Sequence, residues 1–257
     1  MEAVFVCLTA FLAAGVTLFS GFGLGTLLMP VFALFFPIQA AIALTAIVHL
    51  FNNLLKLMLL GRYADRHVVL QFGGPAILAA FLGAWVLGRL SDLAPLMHYR
   101  LFDHEFQVIP VKVAVATLLA VFTLLELTLK EGTLSFDKKY LSLGGIISGF
   151  FGGLSGHQGA LRSAFLIKCG LAKEGFLGSG VVIACLVDIA RLAVYGAAFS
   201  SITRDEHLVL LLAAIASAFG GTWIGNHLAQ KVTTRTIHVI VSIMIFGIAV
   251  GLGAGLI

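Results

Sequence analysis

The chain has 257 residues, 60% of them apolar or aromatic and only 11% charged, with a mean hydropathy of +1.07 and a formal net charge of +4. A soluble domain carries about a quarter charged residues, so this chain has too few to cover a globule in water. Its basic residues are scattered over short connections rather than gathered on one face, which argues against nucleic-acid binding.

Cys7, Cys169 and Cys185 lie far apart, with no C-x-x-C or Cys/His pair at metal spacing, and read as small buried thiols. No Lys or Arg precedes Lys56, so the basic n-region of a signal peptide is missing and none is expected. The runs Ala76–Leu90, Val111–Leu129 and Thr236–Ile257 approach or exceed the roughly 20 residues that span hydrocarbon as a helix. The expected fold is an all-α integral membrane protein.

Residues 1–20 are apolar and stop at Ser20-Gly21-Phe22-Gly23-Leu24-Gly25; a shorter run, 26–36, ends at Pro37. Helices are predicted at 39–61, 68–90 and 108–129, with loops at 91–107 and 130–139. The run 140–154 stops at Ser155-Gly156-His157-Gln158-Gly159 and is followed by a short run, 160–170. Helices at 174–199, 207–229 and 235–257 complete the chain.

That order repeats. An offset of 135 carries Ser20-Gly21 onto Ser155-Gly156, Asn53 onto Asp188, Lys56 onto Arg191 and Gly61 onto Gly196. An offset of 138 carries Phe81, Gly83 and Trp85 onto Phe219, Gly221 and Trp223. Internal repeats are a common sign of a secondary transporter. The expected units are a first repeat, 1–130, and a second, 140–257, each a hairpin (1–36 and 140–170) plus three helices.

Charge decides how the halves face. Lys and Arg gather in cytoplasmic connections. If 1–36 and 140–170 each crossed once, six basic residues would lie on one side and seven on the other. If each is a re-entrant hairpin, nine (Arg62, Arg66, Lys130, Lys138, Lys139, Lys168, Lys173, Lys231, Arg235) face four (Arg89, Arg100, Lys112, Arg204). The second arrangement creates a cytoplasmic face and inverts the repeats.

A break in a helix survives in hydrocarbon only inside protein or beside a cavity. The helix after each glycine-rich break starts with free N–H groups and a positive dipole end, which suits an anion. The bland alternative is that the glycines serve only close helix packing. Arg162, Lys56, Asp188 and Arg191 are ionisable groups inside apolar runs, which face a partner or a cavity. Each has a structural alternative: a snorkelling Lys56, a closed Asp188–Arg191 pair, and an Arg162 that locks the hairpin.

His49, Asn52, Asn53 and Lys56 recur at helical spacing, as do Asp188, Arg191 and Tyr195. Donors and cations outnumber acids, which is oxyanion chemistry. The candidate substrate-binding set is Arg162, Gln158, His157, Lys56, Arg191, Asn52, Asn53, Gly23, Gly25 and Gly159; Asp188, His157 and His49 are candidates for a coupled proton. No H-E-x-x-H, G-x-x-x-x-G-K-[ST] or G-x-S-x-G occurs.

The paired breaks, Ser20-Gly-Phe-Gly-Leu-Gly25 and Gly152-Gly-Leu-Ser-Gly-His-Gln-Gly159, the run Gly180–Asp188 and the duplication resemble the sulfite exporter TauE/SafE family over essentially the whole chain. The resemblance implies a multi-pass protein of the bacterial inner membrane that transports sulfite, a sulfonate or a related anion. It implies no enzymatic activity and no cofactor. The expected partners are a small anion and the bilayer; homodimerisation stays open. The family commonly has a run of glycines where this chain carries His157, Gln158 and Arg162, which points to a subgroup with its own substrate. The rival readings are a passive anion channel and a membrane-embedded enzyme with His49 and His157 as metal ligands or bases.

Overall fold

The computed structural model describes residues 2–16, 23–101, 104–128, 135–199, 205–228 and 234–257. The chain opens with α1 (Glu2–Val16) and α2 (Leu24–Ala33), then α3 (Ile38–Leu60), which ends in a 3-10 turn, Gly61–Tyr63. A short α4 (Arg66–Val68) is capped by Asp65, whose side chain accepts from Val68 N at 2.9 Å. A π-helical turn, Val69–Gly73, leads into α5 (Gly74–Ser91). Pro75 has no N–H to return to Gln71 O, which accepts instead from Ser142 Oγ at 3.2 Å.

After a strand pair come α6 (Pro110–Thr128), α7 (Leu141–Ser155), α8 (Gly159–Leu166), α9 (Lys173–Phe199), α10 (Asp205–Leu228) and α11 (Thr234–Gly253). Among the described residues four helical stretches are long and apolar enough to cross a membrane: Ile38–Tyr63, Arg66–Ser91, Lys173–Gly196 and Leu208–Gly225.

One expectation is corrected. The stretch 91–107 is not simply a loop: β1 (Met97–Leu101) and β2 (His104–Val108) pair antiparallel within it, and the helix expected from 108 begins at Pro110. The fold is helical with one small β-hairpin. Tyr99 and Phe106, opposite each other in the register, stack with centroids 5.4 Å apart. Tyr99 OH also donates to Ala254 O at 2.6 Å, which ties the hairpin to the end of α11.

The packing is apolar outside and tight inside. Leu78, Leu82 and Trp85 on α5 and Val209, Leu212 and Trp223 on α10 are exposed, whereas all ten residues of α2 are buried. Glycines bring backbones into contact. On α7, Gly145, Gly149 and Gly153 lie against the backbone of Phe72, Ala76 and Ala80, so α5 and α7 run parallel. Gly221 lies against Phe11 and Gly225 against Gly15, so α1 and α10 run parallel too. Gly83 meets the carbonyl of Phe150 as Gly221 meets that of Phe11.

Other pairs run antiparallel. Gly178 of α9 touches Leu60 and Ala64, at and beyond the end of α3, while Asp188 reaches back to His49. Gly253 at the end of α11 faces Ala116 near the start of α6. The chain also returns on itself across α7 and α8. Phe136 N donates to Ala164 O at 3.1 Å, the rings of Phe136 and Phe165 stack at 4.3 Å, and Gly144 lies under Phe165.

Candidate functional site

Asp188, fully buried on α9, is the hub of a polar cluster in an apolar protein. Its Oδ1 accepts from Arg191 Nη2 at 2.7 Å, Arg191 Nε at 3.0 Å and Gln158 Nε2 at 3.2 Å. Its Oδ2 lies 2.6 Å from His49 Nδ1 and accepts from Asn53 Nδ2 at 3.4 Å. The Arg191 contact follows from the i, i+3 spacing on one helix face. The contacts to α3 follow from the antiparallel α3–α9 packing. A buried guanidinium needs a counterion with good geometry, and Arg191, 1% exposed, has one in Asp188.

Gln158 stands at the second break. Gly156 closes α7 in the left-handed region, φ 86°, where only glycine sits without strain. The chain then turns so that Gln158 faces Asp188, and Ser148 Oγ holds Gln158 O at 3.0 Å. One turn on, Arg162 Nη1 donates to Gln158 Oε1 at 3.2 Å, and the Arg162 side chain crosses Gly180 of α9.

Lys56, 8% exposed on α3, lies close enough to Arg162 for the two to repel. Among the described residues neither has a carboxylate within ion-pair distance, because the nearby Asp188 is already held by Arg191 and His49. The cluster therefore carries three cations and one carboxylate before any charge on His49.

The two breaks meet. A Cβ on Gly25 would lie 3.5 Å from Gly156 O and 3.8 Å from Thr45. Beside this contact, Thr26, Phe122, His157, Gly159 and Ala160 line a cleft too narrow to admit a water. His157 Nδ1 lies 2.9 Å from Ser155 Oγ, and its ring stacks on Phe122 with centroids 5.3 Å apart. Among the described residues, buried His157 Nε2 and Thr45 Oγ1 find no hydrogen-bond partner. A wider cavity of about 280 Å³ opens at the other end of α2, lined by Phe35, Phe36, Lys112 and Ile257 and mostly apolar.

The sequence candidates thus divide. His49, Asn53, Asp188, Gln158, Arg191, Arg162 and Lys56 form one cluster, and Gly25, His157 and Gly159 flank the contact between breaks. Gly23 precedes α2, where its carbonyl accepts from Thr26 N at 3.0 Å. Asn52 turns away: its Oδ1 accepts from Thr222 on α10 at 2.7 Å, and its buried Nδ2 has no partner among the described residues. Ser20, Gly21 and Phe22 of the first break lie outside the described residues, as do Lys130, Arg204 and Lys231 from the charge count.

Sequence reasoning missed Thr26, Thr45 and Phe122, single residues in apolar runs without a pattern to mark them, and read Ser155 only as the start of the second break. His49 is turned to Asp188 and His157 to Ser155. Among the described residues no three His, Cys, Asp or Glu side chains gather as a metal set.

Long apolar helices around a buried, cation-rich polar cluster define a multi-pass membrane protein built to handle a charged solute. A sequence profile of the sulfite exporter TauE/SafE family matches residues 6–252, and the chain belongs to that family. Members of the family are membrane transporters. No curated protein and no solved structure matches the chain.

Proposed function

We propose that the chain is a secondary transporter that binds a small sulfur-containing anion, sulfite or an organosulfonate, where its two glycine-rich breaks meet. The observation that carries this reading is the surplus of positive charge inside the helices: among the described residues, neither the buried Lys56 nor the half-buried Arg162 near it has a carboxylate within ion-pair distance. Buried charge in a membrane protein is costly and pairs with a partner or lines a pathway. An anion lying against both cations supplies that partner, with Gln158 and the N-terminal N–H groups of α8 as donors. Arg191 stays bound to Asp188 and positions it.

The same reading makes the repeats inverted and the hairpins re-entrant. Equivalent helices, α3 with α9 and α6 with α11, run antiparallel, as a two-fold axis in the membrane plane requires. At 1.5 Å per residue, α2 and α8 are roughly 15 and 12 Å long, too short for a bilayer. The contacts from Phe136 to Ala164 and Phe165 bring both ends of the second hairpin to one side. The basic connections then make that side cytoplasmic.

A thermal-shift screen of purified protein against sulfite, thiosulfate, sulfate, sulfonates and carboxylates tests the site. Ligand at a hundredfold over its Kd stabilises by about 2.7 kcal/mol. The expected result is stabilisation by a sulfur oxyanion that disappears in Arg162→Ala and weakens in Lys56→Ala. Undiminished stabilisation in both variants, or none by any anion, overturns the proposal. Saturable counterflow separates this carrier from a passive channel.

A further inference from the structure

We propose that His49 carries a proton that travels with the anion, and that the proton is gained and lost at Nε2. The inference rests on the carrier reading above and adds the coupling ion to it. The 2.6 Å contact between His49 Nδ1 and Asp188 Oδ2 needs one hydrogen. An ionised carboxylate has none to give, so Nδ1 carries it and donates to Asp188. The ring then has a single titrating atom, Nε2.

The other two proton candidates, Asp188 and His157, are disfavoured by their contacts. Protonating Asp188 would strip the counterion from Arg191, which is 1% exposed and whose other acceptor is Gly152 O at 3.5 Å. His157 has Nδ1 tied to Ser155 and Nε2 in a cleft that admits no water, under the ring of Phe122. His49 is differently placed. Asn53 Nδ2 lies 3.1 Å from its Nδ1, which has no lone pair to offer while it donates to Asp188, and 3.4 Å from both Nε2 and Asp188 Oδ2. It can therefore donate to the neutral ring and turn to the carboxylate when Nε2 is protonated.

The proton site is wired to the anion site. A continuous chain of hydrogen bonds runs from His49 to Asp188 (2.6 Å), from Asp188 to Gln158 (3.2 Å) and from Gln158 to Arg162 (3.2 Å). The charged groups acting on His49 are Asp188 and Arg191 from α9 and Lys56 from its own helix. Of the other helices near α3, α8 brings Arg162 close to Lys56, α2 has no titratable side chain, and α10 has none between Leu208 and Gly225.

Loading Nε2 adds one positive charge to this chain without breaking its bond to Asp188. It therefore favours a bound anion at Arg162. By linkage, the anion raises the proton affinity of His49 by the same factor.

The experiment uses the full chain in proteoliposomes, with radiolabelled sulfite and thiosulfate as probes. Two fluxes are compared: accumulation driven by a pH gradient, and counterflow at equal pH. The expected result in His49→Gln is loss of gradient-driven accumulation by about tenfold or more, within the usual range of coupling factors, with counterflow retained. A merely structural role would impair both fluxes together, and that outcome overturns the inference, as does normal accumulation in His49→Gln.

A second measurement uses the wild-type protein alone. Adding the anion to weakly buffered protein in detergent should draw protons from solution, and the uptake should vanish in His49→Gln. Anion binding without proton uptake overturns the role of His49 while leaving the carrier intact. Absence of counterflow in the wild type overturns the carrier reading itself.

Discussion

Replacing Gly149 by alanine should destabilise the protein out of proportion to the single methyl added. A Cβ at position 149 would lie 2.6 Å from Ala76 Cα and nearer still to its carbonyl oxygen. Carbon atoms rest about 3.5–4.0 Å apart, so α5 and α7 would have to part by about 1 Å at that level. The obstacle is backbone, which has no rotamer to give. Overpacking of this kind costs about 1–3 kcal/mol.

Gly88→Ala is the matched control. Gly88 lies on α5, the helix that Gly149 of α7 abuts, with nothing within 4 Å of its would-be Cβ, and alanine there gains about 1 kcal/mol of helix propensity. Gly149 is also inside a helix, so the propensity gain is common to both variants and they should differ by the overpacking cost, about 1–3 kcal/mol, read as unfolding midpoints in the same detergent. Equal midpoints would refute the claim that backbone contact holds the second hairpin against α5. Because α7 leads directly to Gly156, a displaced α7 should also weaken anion-dependent stabilisation in Gly149→Ala and spare it in Gly88→Ala.

Two further substitutions probe the cluster. Asp188→Asn leaves Arg191 buried without a counterion and should cost about 3–5 kcal/mol, whereas Asp188→Asn combined with Arg191→Met should recover much of that loss; a double variant less stable than the single would contradict the pairing. Gly156→Ala puts a side chain in the left-handed region at φ 86° with its Cβ 2.9 Å from Arg191 Nη1, while Gly170→Ala has φ 72° and nothing within 4 Å. Both should lose about 1–2 kcal/mol to backbone strain, and only Gly156→Ala should also lose anion-dependent thermal stabilisation.

The membrane character was legible in composition because lipid, like the interior, accepts apolar side chains, so both faces of α5 and α10 are written in the same residues. The cluster was partly legible as well. Ionisable groups are rare enough in such a chain that Asp188, Arg191, Lys56 and Arg162 stand out one by one. The offset of 135 set Asn53 against Asp188, and their side chains meet at 3.4 Å.

What sequence could not assign was the division of labour. Helical spacing grouped Asn52 with His49 and Asn53, yet Asn52 sits one residue round the helix and faces α10 instead of α9. Spacing also treated Arg191 and Lys56 as equivalents, whereas only Arg191 has a carboxylate one turn away. The β-hairpin went unseen because Met97–Val108 lacks an Asn-Gly or Asp-Gly turn between alternating apolar residues. Its order comes from Tyr99 reaching α11, a contact 155 residues distant.

The packing adds a constraint that neither half could supply alone. α1, which leads to the first break, is held against α10 by Gly15, Gly221 and Gly225; α7, which leads to the second, is held against α5 by Gly145, Gly149 and Gly153. On the inverted-repeat reading, each hairpin is thus clamped to a helix of the opposite half. On the carrier reading, an anion between the breaks touches both clamped units at once. Any motion that slides one half past the other must then carry each hairpin with its foreign helix, and the Gly25–Gly156 contact is where the two units separate. Discrimination between the two sides of the membrane would come from which unit retains Arg162 and Lys56 as that contact opens: Arg162 follows α8 and the second hairpin, while Lys56 follows α3. On that reading the two cations that would share the anion belong to different halves, so opening the contact would weaken the site by separating them, and release would need no additional repulsive group.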